Sequence, residues 1–308
     1  VEIQNLKLSN MNQVLNLKGY ISKDTGKLLS FMIDNVDIGN INRITEPKGY
    51  EFGGILSGSG RVANIYDIPV FTANVNIKDL TINQEELGKL NLSSKWENQI
   101  KAFVVSGTNK YVEMKGIYLT EQDSIDASIM LKNLKLDIFD KYLNAYEISG
   151  LKGDANGTVM ISGSIKQPKI DGVVNLKQTE FVYDYLKLKA LTEDKVYIGN
   201  DRFYFNNFKV VDENGNIGTI NGGIYHDNFK NFRFGLLANL NDFKVMNTTL
   251  IDNKLFYGTV YASGGLTVEG TPGNFSIYAG ATTEAGSKFV LPMEDTYHAK
   301  NTNFITFA

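Results

Sequence analysis

Two histidines, a few carboxylate pairs and several glycine runs are the first residues to weigh for chemistry in this chain. His226 follows the apolar run Ile220–Tyr225 and is expected as a polar residue at a strand end. His298 lies in the last stretch. Neither stands in a ligand-spaced cluster, so a zinc site is unsupported. Asp212, Asn214 and Asn216 imitate the opening of a calcium loop. Such a loop needs Gly at its sixth place and Glu at its twelfth; here those places hold Ile217 and Gly223. The expectation is a hairpin turn. The run Gly53–Gly60 resembles a phosphate cradle, but a P-loop needs Gly-Lys-Ser/Thr opening a helix, and here Arg61-Val62 leads into a strand. Ser57-Gly58-Ser59-Gly60 nearly spells a nucleophile elbow, without a histidine in that region. Glu85-Glu86 and Glu193-Asp194 lie in polar stretches and read as solvated faces. Trp96, the only tryptophan, reads as a core anchor. No catalytic residue, metal or cofactor is expected, and the chain is not expected to be an enzyme.

The elements that would carry such residues are repetitive. G-I-L-S-G-S-G-R-V-A-N-I-Y-D-I-P begins at Gly54 and closes at Pro69. G-D-A-N-G-T-V-M-I-S-G-S-I-K-Q-P begins at Gly153 and closes at Pro168. Gly54 and Gly153, Gly58 and Gly157, and Pro69 and Pro168 share one offset. A shifted copy runs from Gly258 to Pro272. Glycines recurring at one place in each copy point to backbone geometry, bulges or close packing. Repeats imply units that bury apolar faces against their neighbours. The whole span 1–308 reads as one repetitive region, with repeats at roughly 35–132, 133–240 and 241–308.

The chain has 308 residues, is 43% hydrophobic and carries a formal net charge of -3. It can bury a large apolar area and is not disordered. It has no basic stripe, so no nucleic-acid partner is expected. Cysteine is absent, which excludes disulfides and thiolate metal sites and fits an oxidising compartment. No apolar run reaches the ~18–20 residues of a membrane span. The chain begins at Val1, and the expectation is a fragment whose targeting segment lies elsewhere in the parent protein.

Glycine is frequent (29), proline rare (5), and there are 16 tyrosines and 18 phenylalanines. That composition suits many strands joined by turns. Phe71, Ala73, Val75 and Ile77 alternate with Thr72, Asn74, Asn76 and Lys78. Phe232, Phe234, Leu236, Ala238 and Leu240 alternate with Arg233, Gly235, Leu237, Asn239 and Asn241. Phe275, Ile277 and Ala279 alternate with Ser276, Tyr278 and Gly280. Shorter examples are Leu15-Leu17, Ile129-Leu131 and Val159-Ile161. A period of two puts one set on each face of an antiparallel sheet. Turns are expected at Lys23–Gly26, Ser57–Gly60, Asn64–Asp67, Gly199–Arg202, Asp212–Asn216 and Thr271–Asn274. Three segments break the pattern, Asp37–Ile44, Leu136–Tyr146 and Asp242–Phe256, and each is expected to be a short helix or helical turn.

Sheets with one apolar face must hide it, and the helical material is too scarce to cover this one. Roughly 20 strands at about 4.8 Å make a sheet on the order of 100 Å long. Folded lengthwise, it would enclose an apolar trough able to hold acyl chains, at about 0.8 kcal/mol per buried methylene. A self-packed sandwich with a dry core is the other solution. The candidate lining comprises Phe71, Ala73, Val75, Ile77, Ile129, Leu131, Val159, Ile161, Phe232, Phe234, Leu236, Ala238, Phe275 and Ile277.

Three stretches resemble the TamB family, within the AsmA-like group of bacterial envelope proteins. The first is Ile148–Gly163 with Pro168–Gly172. The second runs from Val211-Asp212-Glu213-Asn214-Gly215-Asn216 through Asn221–Phe229. The third is Phe256–Gly264 with Val268-Glu269-Gly270 and Val290-Leu291-Pro292. The resemblance implies an all-β fold, an elongated antiparallel sheet folded lengthwise (a β-taco) with a few short helices. It implies a periplasmic segment of a Gram-negative protein anchored in the inner membrane. Its expected partners are phospholipid acyl chains and an Omp85-type outer-membrane protein. Its expected role is conduction of phospholipid between inner and outer membranes in outer-membrane biogenesis. The alternative is a structural or chaperone module assisting outer-membrane protein or autotransporter assembly by strand augmentation.

Overall fold

Alternation of apolar and polar residues is realised as strand after strand of one antiparallel sheet. The computed structural model describes residues 1–24, 26–45, 51–66, 70–227 and 230–292. The sheet opens with β1 (Glu2–Asn10), β2 (Gln13–Tyr20) and β3 (Leu29–Asp37). It continues through β4 (Phe52–Ala63), β5 (Val70–Ile82), β6 (Glu85–Glu97), β7 (Ala102–Thr108), β8 (Val112–Leu119) and β9 (Ser124–Lys135). Then come β10 (Ile148–Ser164), β11 (Lys169–Tyr183), β12 (Leu188–Thr192), β13 (Lys195–Gly199), β14 (Arg202–Asp212) and β15 (Ile217–Asp227). β16 (Lys230–Thr248), β17 (Tyr257–Thr271), β18 (Asn274–Thr283) and β19 (Lys288–Val290) complete it.

Each strand pairs antiparallel with the next through β11. β12 and β13 lie end to end between β11 and β14, and β18 and β19 both pair with β17. The 19 strands therefore make an elongated all-β meander roughly 80 Å across at about 4.8 Å per strand. No helix among the described residues is long and apolar enough to cross a membrane.

All three interruptions fall on one rim, the rim at which β3, β9 and β16 end. After β3, Asp37 caps a 3-10 turn over Ile38–Ile41, its Oδ1 accepting from Gly39 N at 2.8 Å, and a single α-turn follows over Asn42–Thr45. After β9, Leu136–Phe139 is 3-10, Asp140–Leu143 is α and Asn144–Tyr146 is 3-10 again. Both segments lie where helical turns are expected. The third does not form a helix. Asp242–Thr248 continues β16, and turns fill residues 249–256. The spacing of three between Leu240, Phe243 and Met246 is produced by two bulges, at Leu240/Phe243 and Lys244/Met246, each of which adds one residue to an alternating strand.

Those bulges belong to a longer series. Asn35, Asp79, Asn133, Gln178, Asn207 and Asp242 all adopt left-handed backbone, with φ between 47° and 55°. They fall in β3, β5, β9, β11, β14 and β16, at or beside a register shift. In most of them a polar side chain of the adjoining strand accepts from the left-handed N–H. Ser57 serves Asn35 at 3.1 Å, Asn156 serves Asn133 at 2.8 Å, Asn221 serves Asn207 at 2.8 Å and Ser263 serves Asp242 at 2.9 Å. Asn and Asp tolerate this conformation better than other non-glycine residues, which gives the abundant asparagine a structural use. Bulges bend the strands that carry them, so a row of bulges bends the sheet along one line.

The recurring glycines belong to the same device. Gly54 and Gly153 have φ of +133° and +114° and sit at register shifts in β4 and β10. Ser57–Gly60, expected as a turn, lies instead in the middle of β4. A Cβ on Gly60 would come within 2.5 Å of the Phe31 ring, so this glycine makes room for an aromatic side chain on the neighbouring strand. Turns form at Asp212–Asn216, Gly199–Arg202 and Thr271–Asn274. Thr25, Asp67, Pro69, Asn228, Phe229 and His298 lie outside the described residues.

A continuous apolar face as the candidate functional site

In an antiparallel pair, residues directly opposite each other share a face. Following that rule across the sheet gives one unbroken line. From β1 to β9 it passes through Leu8, Leu15, Ile33, Gly58, Val75, Leu92, Gly107, Met114 and Ile129. From β10 to β18 it passes through Val159, Gly172, Ile198, Phe203, Ile224, Phe234, Gly270 and Phe275. Every member is apolar or glycine. The adjacent line on the opposite face reads Lys7, Asn16, Met32, Ser59, Asn74, Ser93, Ser106, Lys115, Ser128, Met160 and Asp171. Only its two methionines are apolar, and they are 47% and 45% exposed.

All fourteen residues named as candidate lining fall on the apolar face. Phe71, Ala73, Val75 and Ile77 carry it in β5, and Ile129 and Leu131 in β9. Val159 and Ile161 carry it in β10, and Phe232, Phe234, Leu236 and Ala238 in β16. These twelve are half-buried. Phe275 and Ile277 of β18 are 38% and 51% exposed, because β18 is open along its whole length.

Packing on this face is uneven. Leu80, Leu87, Leu134, Leu136, Ile138, Ala155 and Val174 form one buried cluster, with Ile77, Leu131 and Val159 against it. Phe208, Val210 and Phe243 form a smaller one, with Leu240 and Ile220 beside it. Both lie towards the rim of the three interruptions, where the hairpin β7–β8 stops short. The segment Leu136–Tyr146 folds over it, and Asn83 Nδ2 reaches Ile138 O at 3.0 Å. Trp96 packs edge-on against Phe103 at 4.8 Å on the same face and is half-buried.

Asp212 is 2% exposed. Its Oδ1 accepts from Asn214 N and Asn216 N, both at 2.8 Å, and its Oδ2 from Lys244 N at 2.8 Å and Asn216 Nδ2 at 3.2 Å. Burial pushes this carboxyl up, but the backbone N–H groups of Lys244, Asn216 and Asn214 outweigh it and hold the pKa below its ordinary value. The carboxylate is therefore spent on closing the β14–β15 hairpin, with no oxygen turned to a metal. Past this cap the tail of β16 reaches the turn before β12, where Asn247 N donates to Leu186 O at 2.9 Å. The aspartate thus lets strands on either side of a short hairpin meet.

Among the described residues no three His, Cys, Asp or Glu side chains gather as a metal site. His226 is 2% exposed near the end of β15, its ring 5.2 Å from Phe203 and 6.0 Å from Phe232. Several carboxylates serve surface ion pairs. Glu113 takes Lys115 and Lys132 at 2.6 Å each, and these hydrogen bonds lower its pKa to about 2.

Residues 206–308 match the family model described as the TamB C-terminal domain. Two of the three stretches that carry the resemblance lie in this range, and the first, Ile148–Gly172, precedes it. No curated protein and no solved structure matches the chain significantly. The C-terminal part of this all-β meander, residues 206–308, is thus similar to the TamB C-terminal domain.

Proposed function

We propose that the chain is a segment of an envelope bridge whose apolar face conducts phospholipid between the inner and outer membranes in outer-membrane biogenesis. One observation carries the reading: the line from Leu8 to Phe275 is apolar or glycine in each strand it crosses, while the adjacent line on the opposite face, from Lys7 to Asp171, is polar but for two methionines. A dry core needs apolar faces packed to near-complete burial. Here the face is mostly half-buried along its length, with two buried clusters near one rim. Acyl chains need solvation rather than recognition, which fits the lack of a converging polar cluster among the described residues. The likeness of residues 206–308 to the TamB C-terminal domain supports a role in the Gram-negative envelope, and we place the chain in the periplasm as part of a membrane-anchored parent protein.

Photo-crosslinkers placed at Val159 and at its neighbour Met160 test this. The first side chain belongs to the apolar face and the second to the polar one. Capture of phospholipid at Val159 and not at Met160 is expected. Equal capture, or none, overturns the reading.

A second reading is favoured by β18. All ten of its residues are exposed, and the only pairing it makes among the described residues is to β17. Among the described residues its outer edge pairs with nothing, and it would offer main-chain groups to a strand of another protein, here an Omp85-type partner or its client. Of two neighbouring residues in β18, one N–H points to β17 and the other outward. Ser276→Pro and Ile277→Pro, tested as a pair, are expected to abolish such binding in one case while lipid capture at Val159 persists.

A further inference from the structure

We infer that the segment Leu136–Tyr146 is a strap across the apolar face, latched by Tyr146 against Phe232 and able to open. The inference rests on the trough reading above and adds to it a place where the trough is barred.

The two halves of the segment are held differently. Leu136 and Ile138 are 8% and 5% exposed and lie in the cluster with Leu80 and Leu87. Asn83 also holds Ile138 O. This half is anchored to the β5–β6 side of the sheet. In the other half neither the α-turn Asp140–Leu143 nor the 3-10 turn Asn144–Tyr146 has a buried residue. Its contact across the sheet is aromatic: the Tyr146 ring meets Phe232 edge-on at 5.9 Å, and Tyr142 leans on Tyr146 at 5.7 Å.

Phe232 opens β16, on the same face as Phe234. Tyr146 precedes β10, and strands β11 to β15 lie between those two. The contact therefore crosses the concave side of the sheet instead of running along it. Phe232 also meets His226, which meets Phe203, so a row of rings backs the latch. A cleft of about 430 Å³ opens beside it, lined by Tyr146, Phe232, Arg233 and Pro272 among others.

Its geometry suits motion. One aromatic contact of this kind is worth about 0.5–1.5 kcal/mol beyond its buried area, small enough to break thermally. The strap ends at Glu147, a non-glycine residue at φ 61°, and its helical turns are short and mixed. Hinges are drawn from such element-terminal positions. The second half is tied to β10 by one side-chain hydrogen bond, Asp140 Oδ1 accepting from Leu151 N at 2.8 Å, whereas the segment after β3 is clamped by two, Asn42 Oδ1 accepting from Phe52 N and Asn42 Nδ2 donating to Phe52 O, both at 2.8 Å.

The chain has no cysteine, which makes the test direct. A reporter cysteine is introduced by Phe234→Cys on the inner face, with Leu237→Cys as the outer control, and the rate of maleimide labelling is measured. Tyr146→Ala is expected to raise the inner rate several-fold and leave the outer rate unchanged, whereas Tyr146→Phe, which keeps the ring, restores the slow rate. An inner rate unaffected by Tyr146→Ala overturns the latch, whether or not lipid binds. In a second arm the chain is mixed with phosphatidylethanolamine–phosphatidylglycerol vesicles carrying a fluorescent phospholipid. Faster uptake by Tyr146→Ala is expected. Equal uptake rates overturn the latch, and no uptake by any variant overturns the trough reading alone.

Discussion

Asn156 and Asn133 hold each other across the β9–β10 pair. Asn156 Oδ1 accepts from Asn133 N at 2.8 Å, and Asn156 Nδ2 donates to Asn133 Oδ1 at 3.0 Å. Asn221 and Asn207 repeat the arrangement between β14 and β15, at 2.8 and 3.3 Å. In each pair the residue receiving support is left-handed and marks a bulge. Without the bulge, the residues beyond it would swap faces. The amide pair therefore keeps Leu131 and Leu134, three residues apart, on the same apolar side.

Asn133→Val should destabilise the chain by about 1–2 kcal/mol, the cost of a left-handed β-branched residue. Asn156→Ala should cost about 1 kcal/mol through its lost hydrogen bonds. The double variant should cost less than the sum, because the two act as one unit. Urea titration of the three variants checks this, and strict additivity would show the pair to be incidental.

Gly153→Ala should be costlier than either. Its φ is +114°, and an added Cβ would lie 2.7 Å from Thr179 Cα and 2.8 Å from Gln178 O. Backbone on the neighbouring strand cannot step aside as a side chain can. Gly163→Ala has nothing within 4 Å of the new Cβ and pays only for its positive φ. The order of the two midpoints in thermal melts is the readout, with Gly153→Ala expected lower.

Asp212→Ala strands the N–H groups of Asn214, Asn216 and Lys244 and should cost roughly 2–4 kcal/mol. The acid dependence follows from the sign of the shift. A carboxyl whose folded pKa lies below its unfolded value stabilises the fold fully above the unfolded value. That contribution is lost as pH falls through the folded value. Asp212 therefore supports the fold at neutral pH and withdraws support on acidification below its ordinary 3.8. Asp212→Asn should flatten the pH dependence of stability in that range. Glu113 follows the same sign, its contribution being lost as pH falls from its ordinary 4.5 through about 2. Its ion pairs lie at the surface with exposed lysines, so its part should shrink in high salt.

Leu236→Asp and Leu237→Asp place the same charge on opposite faces of β16, since Leu236 opposes Gly222 and Val268 on the apolar side. A dry apolar face makes an unpaired carboxylate cost several kcal/mol. Leu236→Asp should therefore block lipid passage, and Leu237→Asp, already 45% exposed, should be tolerated. Normal transport by a folded Leu236→Asp chain would contradict the trough.

Much of this was legible from alternation alone. Phe71 to Ile77 and Phe232 to Leu240 carry period two on their surface, and burial of one face leaves that period no freedom. The bulges were hidden, because an inserted Asn or Asp looks like any polar residue between two apolar ones. That is why Asp242–Phe256 read as a helical turn, although its first half continues β16. Asp212 was legible as a hairpin residue but not as the acceptor for Lys244, 32 residues on. The contact of Tyr146 with Phe232 depends on how far the sheet curls, which no local pattern encodes.

The central claim is that the apolar face holds acyl chains. Native mass spectrometry of the purified chain, followed by organic extraction and lipid analysis, tests it most directly. The account predicts phospholipid bound at a reproducible ratio and released on unfolding. A stably folded chain that carries no lipid, before and after incubation with phospholipid vesicles, would contradict it.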